Sequence, residues 1–224
     1  MLSMACQDQP SQLKADQKTQ EKKAQENNPN PQKVQGAEGA QNMQQNKVCD
    51  YTVKDAKPHW TAYKFTEKAA VGGTFNSFKL SDSRQAPNLM ESLKNLSIEI
   101  DAASVESNNP SRNKTIAEVY FAKFAPANSI KGTVVSATGD NKQGDMKINI
   151  DMNGVAKDVD FKYNVEGTAL EANAVIDMMD FKLEGPFKAI HETCKALHTG
   201  ADGVAKTWTE VALKVSATVD VVCK

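Results

Sequence analysis

Two imidazoles and a thiol fall within one short segment, His191-Glu192-Thr193-Cys194-Lys195-Ala196-Leu197-His198. On a helix, positions i, i+3 and i+7 share a face, so His191, Cys194 and His198 form a candidate ligand set for zinc or copper. Against that, Cys194 also continues an apolar stripe through Phe187, Ile190 and Leu197, and cysteine is among the residue types most often buried. A core thiol flanked by two histidines is therefore the stronger interpretation, and no metal is expected. Arg112 is the other side chain that stands out, as one of only two arginines. Its planar fork suits a pyrophosphate or carboxylate; equally, it is an exposed residue at a helix start. The chain has no Gly-x-Ser-x-Gly, phosphate loop, dinucleotide fingerprint or His-Glu-x-x-His, so the residues point to binding rather than catalysis and to no cofactor.

The elements that must position these groups begin at a sharp seam. The 224 residues carry a formal net charge of −1, with 25% charged and 40% hydrophobic residues, which is ordinary for a globular domain. Nothing resembles the basic footprint of a nucleic-acid binder, and no apolar run is long enough to span a bilayer as a helix. Residues 1–47 nevertheless contain 11 of the 13 glutamines, whereas all 14 aromatic residues lie from Tyr51 onward. A tract such as Gln17-Lys18-Thr19-Gln20-Glu21-Lys22-Lys23 cannot bury enough apolar area to offset the entropy of ordering. Residues 7–47 are expected to be a disordered Gln/Asn/Lys-rich linker, with a reach of about 35 Å as a flexible coil. Residues 48–224 are one domain's worth of chain.

Within that domain, period-2 alternation dominates. Val211, Leu213, Val215, Ala217, Val219 and Val221 share one face of a strand, and Lys214, Ser216, Thr218 and Asp220 the other. Met146 to Met152, Val159 to Val165 and Leu170 to Met178 alternate in the same way. Asn153-Gly154 between two of these runs is a strong hairpin signal. Two segments break the pattern. Ser111 to Phe124 follows Asn109-Pro110, a helix start, and Pro186 to Leu197 ends before Gly200. The expected fold is all-β with two short helical insertions: an antiparallel β-barrel, closed so as to remove its edges. About eight strands leave an interior just wide enough for one ligand.

Cys49 and Cys223 bracket the domain. In a closed meander with an even strand count, the first and last strands are antiparallel neighbours, and these two thiols meet in a disulfide; otherwise they are unpaired near frayed ends. Cys194, on its apolar stripe, is expected to stay reduced. At the other end of the chain, Met1-Leu2-Ser3-Met4-Ala5-Cys6 is too short for a signal peptide. A small residue before a cysteine, followed at once by a polar tract, resembles the lipobox of bacterial lipoproteins, with residues 1–6 as the remnant of a signal whose start lies further upstream. That resemblance implies lipid attachment at Cys6, a membrane as partner, and a place in the periplasm or outer cell envelope. The alternative is a cytosolic protein with a disordered tail.

Trp60-Thr61-Ala62-Tyr63-Lys64-Phe65, Val71-Gly72-Gly73-Thr74-Phe75 and Ile98-Glu99-Ile100-Asp101-Ala102-Ala103-Ser104-Val105 resemble the opening of the YceI-like family of lipid-binding barrels. Asn109-Pro110-Ser111-Arg112 leading to Tyr120-Phe121, and Leu170 through Met179-Asp180-Phe181, continue the resemblance in order across about 57–222. The family pattern departs at Asn113, where an acid is frequent. The resemblance implies an extended antiparallel lipocalin-like β-barrel and a non-enzymatic protein that holds an isoprenoid or fatty acyl chain inside it. From the pattern alone, Trp60, Phe75, Phe121, Phe161, Tyr163 and Phe181 fill a core; the resemblance implies that some of them line a tunnel, with Arg112 at its mouth. Two rival expectations stand beside it: a structural or stress-related surface protein with a filled core, and a metal-binding protein using residues 191–198. Homodimerisation is left open, and no nucleic acid is expected.

Overall fold

The structure is a computed structural model, and it describes residues 47–224. Ten strands form one antiparallel sheet: β1 (Cys49–Lys64), β2 (Ala69–Phe75), β3 (Phe78–Ser81), β4 (Ser97–Asp101), β5 (Val105–Glu106), β6 (Ser129–Gly139), β7 (Gln143–Met152), β8 (Val155–Glu166), β9 (Ala169–Asp177) and β10 (Glu210–Cys223). From β6 to β10 the chain is a meander, each strand pairing with the next, and β10 then pairs with β1. The alternation explains this run of strands. Leu213, Val215, Ala217 and Val219 of β10 pack into the core, while Lys214 reaches Glu171 across the outer face at 3.1 Å. Lys147 and Asp160, direct neighbours on β7 and β8, pair there at 2.7 Å.

Hydrogen bonding does not close the sheet in one unbroken ring, as a strictly closed barrel requires. The ladder runs β3-β4-β6-β7-β8-β9-β10-β1-β2-β5, and its end strands are not partners of each other. The two ends instead belong to one bent hairpin. β2 continues into β3 across Asn76 and Ser77, and β4 into β5 across the single turn Ala102–Ser104. Phe75 pairs with Val105 on one side of the bend and Phe78 with Ile100 on the other. The kink itself is held by Asn76 N–H donating to Ser104 O at 2.9 Å and Asp101 N–H to Ser77 O at 3.0 Å. One half of the hairpin bonds to β1 and the other to β6. A bend of this kind hides edges that an open sheet would expose.

Cys49 and Cys223 face each other in the β1–β10 register and are disulfide-bonded, with Cα atoms 3.9 Å apart. The Asn153-Gly154 turn joins β7 to β8 with φ of 53° and 69°, the left-handed pair a two-residue hairpin needs. Asn153 also ties this turn to neighbouring segments: its amide donates to the carbonyls of Phe181 and Lys182, and its oxygen accepts from Ala125 N–H.

Both expected helical segments are present in altered form. The first is α2 (Pro110–Thr115), capped by Asn109 accepting from Arg112 N–H, followed by a π turn over Ile116–Tyr120 and a 3-10 turn over Phe121–Lys123. The second is α3 (Glu184–Cys194), which starts two residues before Pro186. A further helix, α1 (Leu89–Leu93), buries Leu89, Ser92 and Leu93 under an Asn88 cap. Alternation through Met178 overruns β9, which stops at Asp177. The Asp177 carboxylate accepts from Met179 N–H at 2.8 Å and starts a 3-10 turn, Met178–Phe181.

Candidate functional site

The curled sheet encloses a cavity of about 260 Å³. Inward residues of the long strands make its wall: Trp60 and Ala62 from β1, Ile148 and Ile150 from β7, Ile176 from β9, Val211 and Leu213 from β10. The segment 116–124 lies over them and adds Ile116, Tyr120, Phe121 and Phe124. Phe75, Tyr120, Phe121 and Phe124 form an edge-to-face aromatic cluster with ring centroids 5.1–5.8 Å apart. This geometry stabilises aromatic pairs beyond their buried area. The Tyr120 hydroxyl points at Met178 Sδ, 2.7 Å away, and burial pushes its pKa up, so it stays a neutral part of the wall.

One region of the wall is polar and cationic. Lys64 at the end of β1, Arg112 from α2, and His198 and Thr207 from the connection between α3 and β10 all line the cavity. His191 Nδ1 and His198 Nδ1 both lie against Thr207 Oγ1, at 3.0 and 2.8 Å. A hydroxyl has one hydrogen to give, so at least one of the two imidazoles must donate to it. Burial, then the charges of Lys64, His191 and Arg112, push His198 down to about 4, so it is uncharged at neutral pH. Burial and the neighbouring Arg112 lower Lys64, and burial alone lowers Arg112. Beside this cluster the Trp208 indole N–H donates to Phe65 O at 2.7 Å, with the ammonium groups of Lys68 and Lys206 over its ring at 4.3 and 4.7 Å. The site is thus an apolar chamber with fixed positive charge on one part of its wall. A long apolar molecule with a small acceptor-rich head matches both features.

Of the aromatic and basic residues singled out in the sequence, Trp60, Phe75, Arg112, Phe121 and Phe161 come together on this wall. Tyr163 and Phe181 do not. Tyr163 is buried with its ring packed over Gly144, where an added Cβ would meet Tyr163 Cε1 at 2.8 Å, and its hydroxyl donates to Asp140 O at 2.7 Å. Phe181 is 1% exposed and closes the 3-10 turn after β9 inside the packed core. Tyr120, Lys64, His198 and Thr207 were missed as wall residues. Only Tyr120 had a signal, the i, i+4 spacing Ile116–Tyr120–Phe124.

The three candidate metal ligands are not arranged as such. No cluster of three or more His, Cys, Asp or Glu among the described residues is placed to hold a metal ion. The two imidazoles share the Thr207 hydroxyl instead. Cys194 is disulfide-bonded rather than the expected thiol. Cys6, the candidate lipid attachment site, lies outside the described residues.

Antiparallel strands curled round an apolar chamber, with short helices packed over it, define the lipocalin-like class of calyx. The profile of the YceI-like domain family matches residues 51–221, and the chain belongs to that family. Among solved structures, it is similar to a polyisoprenoid-binding domain from Saccharophagus degradans implicated in plant cell wall breakdown. The two share 16% identity and a TM-score of 0.52, over 76% of this chain and 97% of that one. Burkholderia cenocepacia BcnA is 14% identical with a TM-score of 0.50, over 74% of this chain and 96% of that one. A Campylobacter jejuni YceI protein is 18% identical with a TM-score of 0.47, over 70% of this chain and 86% of that one. No curated protein sequence matches significantly.

Proposed function

We propose that the protein binds a lipid with a long apolar chain, of isoprenoid or fatty acyl type, inside the barrel, and does so without chemical turnover. The observation that carries this is the 260 Å³ chamber walled by Ile148, Ile150, Ile176, Val211 and Leu213. A barrel built only as a rigid surface scaffold gains by filling such a space, because each void forfeits contacts its lining would otherwise make. The lipid's head belongs beside Lys64, Arg112 and the neutral His198, where a carboxylate or phosphate finds the positive charge of Lys64 and Arg112. The Saccharophagus degradans neighbour, described as polyisoprenoid-binding, supports the class of chain. The test is native mass spectrometry of protein purified from its own cells, followed by organic extraction. One lipid per barrel is the expected result. Protein that carries no lipid and takes up none of a series of prenols or fatty acids overturns the proposal.

We further infer that the protein works at the cell envelope, held there by an acyl anchor on Cys6. A membrane-bound position brings the barrel to the source of its ligand. Cys6→Ala expressed with its upstream sequence is expected in the soluble fraction. Continued membrane association of that variant removes the anchor.

A further inference from the structure

We propose that Gly132 sets the length of apolar chain the barrel accepts, by keeping open a passage between two chambers; this rests on the lipid-binding proposal and extends it. A second, smaller apolar cavity of about 50 Å³ adjoins the first, walled in part by Leu93 of α1, Val53 of β1 and Ala217 of β10. Ile98, Gly132, Ile148 and Val215 line both chambers, so these four residues are the partition between them. Lys64, Arg112 and His198 line only the larger one.

Gly132 lies inside β6, paired with Ile98 on β4 and Ile150 on β7. A glycine there weakens a strand, since it packs no side chain and loses the most freedom on folding. Its backbone does not demand glycine, because its φ lies outside the left-handed region, and an added Cβ would meet only the Cγ2 methyls of Ile98 and Ile148, each at 3.4 Å. The strand therefore tolerates a side chain that it does not have. What the missing side chain leaves is a gap between two isoleucine methyls, at a residue that lines both chambers. Strand-interior glycines commonly mark a close approach by a ligand. A lipid with its head at the cationic cluster fills the large chamber first and sends the end of its tail past Gly132. The small chamber, closed by Leu93 and Leu96, then sets the upper limit.

The test is a titration of delipidated full-length protein with straight-chain fatty alcohols of about 8 to 20 carbons, each added methylene in an apolar site strengthening binding about fourfold. For the unaltered protein, affinity climbs with length and then levels off. Gly132→Val is expected to bind short members as well as the unaltered protein and to level off earlier, leaving it about tenfold or more weaker at the long end. Ala217→Phe fills the small chamber without touching the large one and is expected to truncate the curve in the same way; it carries the test if Gly132→Val fails to fold. Curves that superimpose at every length for both variants overturn the passage and leave lipid binding standing. Equal weakening at every length, short members included, also overturns it, because Gly132 then acts in the main chamber alone. Failure of the unaltered protein to bind any member removes the lipid-binding proposal together with this one.

Discussion

Replacing Cys49 and Cys223 together with serine is expected to lower the stability of the barrel by about 5 kcal/mol. The bond spans 174 residues of sequence, so its loss frees almost the whole domain in the unfolded chain. In the chain-entropy account, stabilisation grows with the logarithm of loop length. The folded state loses little, because the β1–β10 register continues inward through Val53↔Val219 and Trp60↔Leu213 whether or not the ends are bonded. For a domain of this size the change corresponds to a fall in Tm of roughly 10–20 °C. Urea unfolding of the double serine variant and of the corresponding double alanine variant measures it, and both should shift alike. A midpoint unchanged in both shows that the terminal strand pair holds without the bond. A shift in the serine variant alone shows that serine perturbs the strand ends for some other reason.

How much of this was readable beforehand differs from element to element, for physical reasons. The β7–β10 meander was legible because each strand buries one face and wets the other, and Asn153-Gly154 fixes a turn that few other residue pairs can adopt. The Cys49–Cys223 bond followed from antiparallel first and last strands. The β2–β3 bend was not legible: two residues, Asn76 and Ser77, interrupt the pairing, and nothing in period-2 alternation says that a strand changes neighbours there. α1 was missed because five residues are too few to display a 3.6-residue period. Met178 kept to the alternation, yet the Asp177 carboxylate captures Met179 N–H and turns the chain.

The site shows the same limit in another form. Alternation assigns a side chain to the inner face, but the interior holds both an open chamber and a packed floor, and period 2 does not tell them apart. Phe161 and Tyr163 are two residues apart on one face of β8; the first reaches the chamber and the second lies over Gly144. The Tyr163–Gly144 pairing needed the β7–β8 register, in which they are opposite each other. The polar cluster draws on the cations Lys64 and Arg112 and the neutral His198, which only the curl of the sheet brings near one another. The histidine spacing was visible, but its chemistry was not, because Thr207 supplies a hydroxyl between the two rings.

A paired substitution separates chamber from floor. Ala62 and Ala172 are both small inward-facing residues, on β1 and β9, but Ala62 lines the chamber and Ala172 is fully buried away from it. Ala172 faces Tyr163 and Val215 on its neighbouring strands, so a phenyl ring there must displace packed atoms, and overpacking of that kind costs about 1–3 kcal/mol or more. At position 62 the ring enters empty apolar space beside Trp60 and gains burial that offsets its strain. Ala62→Phe is therefore expected to unfold within about 1 kcal/mol of the unaltered protein while losing lipid uptake by about a hundredfold or more, the value of some three to four methylenes of tail displaced. Ala172→Phe is expected to do the reverse, with a clear fall in stability and near-normal uptake in whatever fraction remains folded. Denaturant midpoints and lipid titrations on the two variants give four numbers, and the proposal requires the crossed pattern. Ala62→Phe that loses several kcal/mol yet still binds lipid places the ligand outside this chamber. A conserved ranking in both assays, with one variant worse in stability and in uptake alike, shows that uptake only follows folding and that the chamber has no separate role.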